Sequence, residues 1–331
     1  MIKKWFSERT FHHKQFSNIS KLVKLKKEQN LSISLGLPTF NVEKTIGEII
    51  SVIKESLVEK YPLLDQIAII DSRSTDATVS IAREVGAEVY FDDEILTTVG
   101  TEWGKGEALW KSLHVLIGDI IIWIDSDIEN IHPRFVYGLV GPLLHNPEIA
   151  FVKGFYQRPI REHGRLKETG GGRVTEILAR PILNLFYPEL ACFIQPLSGE
   201  YAGRREVLES IPFYTGYAVE FGLLVEIWRQ FGFMSMAQVD LEKRIHPNQP
   251  TRALGRMAFA IYQAVFQLID EDNKIRLLTR LNKVLRTVKY REGAYSLADN
   301  EIRIVKRPPI NSVPEYTAYR KQLEMQVEVD P

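Results

Sequence analysis

IIIWIDSDIEN, residues 120–130, sends five consecutive apolar side chains, Ile120 to Ile124, into two carboxylates one residue apart, Asp125 and Asp127. An unbroken Ile-rich run of this length is the pattern of a strand buried on both faces, as in parallel sheets covered by helices. In extended backbone, residues two apart share a face with Cα atoms roughly 7 Å apart. The spacing therefore predicts both carboxylates on one side of the strand end. Like charges that close repel unless a cation lies between them, and oxygen donors of this kind suit Mg²⁺ or Mn²⁺. An Asp-x-Asp pair alone is also how a strand ends in a polar turn; its place at the end of a buried strand favours the cation.

The surrounding sequence repeats the strand. SISLGLP reads as a strand ending at Pro38, and EKTIGEIISVIKESLVEK sets Ile46, Ile49, Ile50, Ile53 and Leu57 on one helix face. QIAIIDS is a second strand, TDATVSIAREVG a helix closed by Gly86, AEVYFDD a third strand, and GEALWKSLHVL a helix leading into IIIWID. This alternation predicts an α/β fold, a mostly parallel sheet sandwiched by helices. Ligands of such sheets sit outside the carboxyl ends of the strands. Pro38 to Asn41, Asp71 to Ser74 and Asp125 to Asp127 are thus expected at one crevice.

Beyond residue 150 the pattern loosens. FVKGFYQRP and FMSMAQVDL read as strands, and RVTEILARPILNLFYP as a helix that Pro181 should kink or end. A long helix runs from about Arg252 to Ile269, with Met257, Ala260, Ile261, Ala264, Val265 and Leu268 on a broad face that reads as core. Residues 1–30 are basic and polar, expected to lie on the surface as one or two helices, and the charged final 60 or so to wrap the body or a second subunit.

Composition excludes several classes. Among 331 residues, 42 Lys and Arg balance 42 Asp and Glu, so no global basic field argues for nucleic acid or an anionic membrane. The one cysteine, Cys192, rules out a disulfide framework and a cysteine-rich zinc site and fits a reducing, cytoplasmic setting. No apolar run reaches the roughly 20 residues that span a bilayer.

Four further features carry chemistry. Lys105 stands between glycines at a helix start, where backbone amides and an ammonium can both meet a phosphate. In GGGR, residues 170–173, three glycines can turn their N–H groups into an anion nest, with Arg173 and Thr175 adding a guanidinium fork and a hydroxyl. That nest suits an acceptor bearing a phosphate or carboxylate. His246 precedes Pro247, which disfavours helix and suggests an exposed turn. Tyr217 and Glu220 could anchor substrate hydroxyls, or else pack and cap a helix.

Together LGLPTFN, IIDSRSTDAT, WGKGEALW and IDSD resemble the GT-A nucleotide-sugar glycosyltransferases. FVKGFYQRP, GGGRVTEILARP, QPLSGEYAGRRE, GYAVEFGLLVE and RIHPNQP resemble the glucosyl-3-phosphoglycerate synthases, a likeness running from about residue 30 to 260. The resemblance implies a GT-A domain over 31–250, with a donor half at 31–130 and an acceptor half at 150–250. A mainly helical extension, 251–331, would follow and supply a homodimer contact. It implies retaining transfer of glucose, from UDP-glucose, to the 2-hydroxyl of 3-phosphoglycerate, with mannosyl transfer from GDP-mannose and a non-catalytic sensor as alternatives. Asp125, Asp127 and His246 would hold Mg²⁺ or Mn²⁺. Pro38, Asn41, Ser72, Lys105, Asp125 and Ser126 would bind the donor, and Gly172, Arg173, Thr175, Tyr217 and Asn248 the acceptor. The catalytic set would be Asp127, Lys105, the backbone near Leu197, and Glu220, the one nameable base. Val42 departs from the family, which commonly has a glutamate there, so the base and sugar of the donor stay open. A nucleotidyltransferase or dinucleotide enzyme is disfavoured because LGLPTFN has only Gly36 where a Gly-rich loop belongs.

Overall fold

The IIIWID run lies inside an eight-stranded sheet, in a computed structural model that describes residues 1–162, 165–167, 171–246, 249–291 and 293–329. Along the chain the strands are β1 (Thr10–His12), β2 (Ile33–Thr39), β3 (Gln66–Asp71), β4 (Glu88–Phe91), β5 (Ile120–Trp123) and β6 (Phe151–Gln157). There follow β7 (Ile160–Glu162), β8 (Arg165–Lys167), β9 (Tyr201–Arg204), β10 (Phe213–Tyr214) and β11 (Met236–Lys243). The last are β12 (Val284–Arg291), β13 (Ala294–Glu301) and β14 (Lys306–Arg307). The longer helices are α1 (Ile2–Glu8), α2 (Ile19–Glu28), α3 (Ile46–Lys54), α4 (Thr78–Glu84), α5 (Lys105–Val115) and α6 (Arg134–His145). They continue as α7 (Arg180–Phe186), α8 (Arg205–Ser210), α9 (Val219–Phe231), α10 (Thr251–Glu271) and α11 (Pro314–Val329).

Sheet order is β1-β11-β6-β9-β5-β2-β3-β4. Every pairing is parallel except those of β9, which runs antiparallel to both β5 and β6. The apolar alternation explains why the sheet is covered on both sides. Ile120, Ile122 and Ile124 feed one core with Leu35, Leu37 and the α3 face, while Ile121 and Trp123 feed the other with Trp5, Trp110 and Phe151. The mostly parallel sheet flanked by helices is the architecture expected from the sequence.

Two segments differ from expectation. Residues 1–30 do form two helices, but they also add β1, which pairs with β11 at the sheet edge. Trp5 is fully buried, donates its Nε1–H to Met236 O at 2.8 Å, and stacks on Phe233 with ring centroids 4.3 Å apart. Pro181 does not end its helix: a wide turn over Thr175–Ala179 converts there into α7, whose first positions tolerate the missing N–H.

The C-terminal region packs back on the body. Ala260, Ile261, Ala264, Val265 and Leu268 of α10 are buried, as the core reading required. β14 pairs with β10, and from it Arg307 enters a buried fork on Glu107, Nε and Nη2 reaching its carboxylate at 2.8 and 2.7 Å. Among the described residues the β12–β13 hairpin has no third strand, and it leaves Val288, Tyr290, Tyr295 and Leu297 exposed.

Because Trp5 ties the first helix to the sheet edge, Trp5→Ala should lower unfolding free energy by about 3–5 kcal/mol in urea titrations, the usual cost of emptying a buried aromatic site. An exposed N-terminal segment would show a change within about 0.5 kcal/mol.

Candidate active site

β5 stops at Trp123, so Asp125 and Asp127 stand on the turn that follows rather than on extended backbone. They converge all the same, because that turn is tied down and a cation gathers both. Ser126 Oγ donates to Pro38 O at 2.8 Å, and Thr45 Oγ1 donates to Ser126 O at 2.5 Å, fixing the turn to the end of β2. Arg244, 2% exposed, reaches Asp125 Oδ2 with Nη1 at 3.0 Å and Asp127 Oδ1 with Nη2 at 2.6 Å. Its Nη1 also lies 3.0 Å from Glu200 Oε1 and 2.9 Å from the Tyr156 hydroxyl. Lys105, at the first position of α5, pairs with the other oxygen of Asp125 and, at 2.7 Å, with Glu220 Oε1.

The chain thus carries its own counter-cations to the acidic pair. Burial opposes the charge of Asp125, yet Lys105 and Arg244 hold its carboxyl well below the usual range. Lys105 in turn is buried but is kept charged by Asp125 and Glu220. Lys153 lies deeper, donates to Ser198 O at 2.8 Å, and burial brings its ammonium down to about 7, Glu220 opposing. Burial likewise raises the Glu200 carboxyl, against the pull of Arg244.

Above this floor opens a cavity of about 530 Å³. Of the residues expected to bind ligands, Pro38, Ser72, Lys105, Asp125, Ser126, Asp127, Gly172, Arg173, Thr175, Leu197, Tyr217, Glu220 and His246 all line it. Gly172 has φ +77°, a left-handed turn that favours glycine, and its carbonyl accepts from Glu176 N at 3.0 Å at the start of the helical segment. Arg173 Nη2 donates to Gln249 O at 2.7 Å, and Thr175 is buried beside them. Glu220 opens α9, but its carboxylate is engaged with Lys105 rather than free as a base.

Two expectations need correction or fall away. Asn41 is off the cavity wall: its side chain accepts from Thr75 N at 2.8 Å and its φ is +53°, so it shapes the turn after β2. Asn248, like Gly170, lies outside the described residues. Arg244 and Arg158, both lining the cavity, were missed. Arg244 sits two residues before His246 in RIHPNQP, and nothing in that stretch marks it as the partner of the acidic turn after β5.

Whether these residues suit a divalent cation can be tested on His246. Its Nδ1 is buried and has no hydrogen-bond partner among the described residues. Burial and then Arg244 lower its imidazole to about 4, so it is neutral at physiological pH, the form that ligates a metal. Gly199 adds room, since a Cβ there would run into the Asp125 carboxylate. Two carboxylates and a neutral imidazole fit a hard-to-borderline divalent ion. In this arrangement Arg244 bridges the two carboxylates.

Residues 34–216 match the model of glycosyl transferase family 2. A glucosyl-3-phosphoglycerate synthase of Petrotoga mobilis is 55% identical over 93% of this chain and 95% of its own. The chain belongs to the glucosyl-3-phosphoglycerate synthase family of these glycosyltransferases. Among solved structures, mannosyl-3-phosphoglycerate synthase from Rubrobacter xylanophilus superposes with a TM-score of 0.86 at 40% identity, covering 94% of this chain and 98% of that one. The Mycobacterium tuberculosis glucosyl-3-phosphoglycerate synthase, solved with Mn²⁺, UDP-glucose and phosphoglyceric acid, gives 0.76 at 38% identity over 89% and 94%.

The resemblance implies a glutamate at position 42, where this chain has Val42. Val42 lines the cavity, while its neighbour Glu43 turns away and accepts from Ala77 N at 3.0 Å near the start of α4. The expected carboxylate is therefore not restored by the adjacent residue.

His246 also sets a pH dependence. Its folded value, about 4, lies below the unfolded 6.5, so between these pH values the unfolded chain binds a proton that the folded chain does not. Stability from neutral His246 is complete above 6.5 and lost as pH falls towards 4. In chelator-treated protein, His246→Asn should flatten the fall in unfolding free energy over that window, read from urea melts at stepped pH; an unchanged slope would show the imidazole to be ordinary.

Proposed function

We propose that the protein transfers glucose from UDP-glucose to the 2-hydroxyl of 3-phosphoglycerate with retention, giving glucosyl-3-phosphoglycerate and UDP. The observation that carries this reading is a single cavity in which the Asp125–Asp127–Lys105 floor faces a Gly-rich anion nest flanked by Arg158 and Arg173. A donor diphosphate and a phosphorylated acid can meet there. Relatives that share most of the chain bear the name of this activity, and the Mycobacterium tuberculosis relative is solved with both substrates.

The roles follow from placement. Lys105 meets the donor diphosphate at the N-terminus of the eleven-residue α5, where aligned amides reinforce its charge. Pro38, Val42 and Ser72 bound the nucleotide side, with Phe40 and Trp103 exposed at the mouth. The Gly172 turn, Arg173 and Thr175 take the acceptor's phosphate or carboxylate, and Tyr217 reaches in from the rim. Glu220 keeps Lys105 aimed, which leaves proton removal to the departing phosphate: the sugar–diphosphate bond breaks, the acceptor oxygen bonds the same face, and its proton passes to the leaving oxygen. Asp125, Asp127 and His246 would hold Mg²⁺ or Mn²⁺, which when bound neutralises charge on the leaving diphosphate as a Lewis acid. Leu197, Leu254 and Met257 wall the cavity with apolar surface that limits competing water.

A second donor reading rests on the TM-score of 0.86 to a mannosyl-3-phosphoglycerate synthase, together with Val42 on the cavity wall where the resemblance implies a glutamate. That reading is mannosyl transfer from GDP-mannose. A homodimer and a cytoplasmic setting belong to the same proposal. The apolar exposure of the β12–β13 hairpin supports pairing, and among the described residues no helix is long and apolar enough to cross a membrane.

Mass spectrometry of products from 3-phosphoglycerate should find a hexosyl adduct with UDP-glucose and far less with GDP-mannose; the reverse preference installs the second reading, and no adduct with either removes both. Lys105→Met should lower kcat by about 10²–10³-fold, the scale of losing one preorganised electrostatic contact. Asp127→Ala or chelation should stop turnover in folded protein, with Mg²⁺ or Mn²⁺ reversing the chelation. Full turnover by folded Asp127→Ala would refute the metal assignment.

A further inference from the structure

His12 and His13 have no part in the transfer reaction, yet the fold brings them against the one irregular point of β11. β1 lies alongside β11 with His12 opposite Asp240. The register of β11 against β6 shifts between Asp240 and Lys243, and within that bulge Glu242 adopts φ +67°. Left-handed backbone costs a non-glycine residue about 1–2 kcal/mol, and bulges of this kind re-aim a side chain. Here the redirected carboxylate meets the two imidazoles.

The three side chains bring one donor atom each to within 4.8 Å of the others. The His13 side chain is 7% exposed, and its Nδ1 is engaged with the Tyr137 hydroxyl at 2.9 Å, which fixes the ring. That leaves Nε2 facing the cluster, buried and 3.1 Å from Glu242 Oε1, its partner in the cluster. A histidine whose second nitrogen is held by a polar partner is how metal-ligating imidazoles are oriented. The 3.1 Å separation is close to the ligand–ligand edge of about 3.3 Å in a tetrahedral site with metal–ligand bonds near 2.0 Å. Lys14 Nζ, 71% exposed and 2.9 Å from Glu242 Oε1, now balances the carboxylate and is free to swing into solvent.

We propose that His12, His13 and Glu242 form a second metal site, suited to Zn²⁺ with water completing the coordination, separate from the cation of the transfer reaction. Two imidazoles and a carboxylate match zinc; Mg²⁺, which prefers oxygen ligands throughout, should not compete. Its place gives it a structural task. It would pin the N-terminal segment to the bulge two residues before Arg244, stiffening the strand that delivers Arg244 and His246 to the cavity.

The test uses the full chain carrying Asp127→Ala and His246→Ala, which removes catalytic-site ligands, with Zn²⁺ as the probe. After dialysis this protein should retain one zinc per chain by elemental analysis, retain no magnesium, and melt at a higher temperature with zinc than without. Adding His12→Ala, or Glu242→Gln if the first substitution perturbs folding by circular dichroism, should weaken zinc binding about ten-fold or more and abolish the thermal shift. In the otherwise unaltered chain, His12→Ala should leave Mg²⁺-supported transfer unchanged. Failure of the double variant to retain zinc, or zinc retention that neither added substitution reduces, would overturn the proposal.

Discussion

Everything at the mouth of this sheet depends on compensating negative charge, from Glu200, wholly buried, to Asp127, 36% exposed on the cavity floor. Asp125, Asp127, Glu200 and Glu220 crowd around Arg244 and Lys105, with Lys153 beneath. For the buried Arg244–Glu200 pair, removing one partner costs about 3–5 kcal/mol, because the survivor is left buried and unmatched. The cluster is therefore poised rather than simply stable. Each cation already holds carboxylates, and in the roles proposed above binding would be an exchange of partners instead of entry into an empty cleft.

That exchange gives the architecture its meaning. Lys105 belongs to α5, Arg244 to the end of β11, and the acidic turn to the end of β5. Three elements far apart in sequence must hold their ends level for the network to close. The antiparallel β9 helps, since it lies between β5 and β6 and brings Glu200 under the guanidinium. Tyr156 supports Arg244 from β6 and bonds Glu200 as well. The polar cluster is consequently a connection between strands as much as a binding floor.

Much of this was legible in the residues. The Ile-rich runs disclosed the parallel strands because both faces are buried, and the glycines of GGGR and WGKGEALW marked the turns beside the cavity. Other features left weak traces. β1 is only three residues, TFH, too short for any alternation to register, and the role of Trp5 depends on Met236 and Phe233, more than 200 residues away. The end of β5 was placed two residues late because IIIWID remains apolar past its last ladder bond. Arg244 was overlooked for a related reason: nothing local says that a charged residue on a strand will be 2% exposed, since its burial is decided by carboxylates that arrive from β5 and β9. Sequence pattern reports what a segment needs to bury, and says little about which distant charge will come to meet it.

The fork between Arg307 and Glu107 bears on how the C-terminal region is coupled to the cavity. Glu107 is wholly enclosed, two residues along the helix from Lys105, and its guanidinium partner comes from β14. Lys111 stands 3.6 Å from the same carboxylate, so the first-turn charge of α5 is shared between a cation of its own helix and one brought from far along the chain. A disturbance that draws β14 away from β10 would strip one of the two and be felt at the start of α5, so the cavity wall is sensitive to a strand that does not line it.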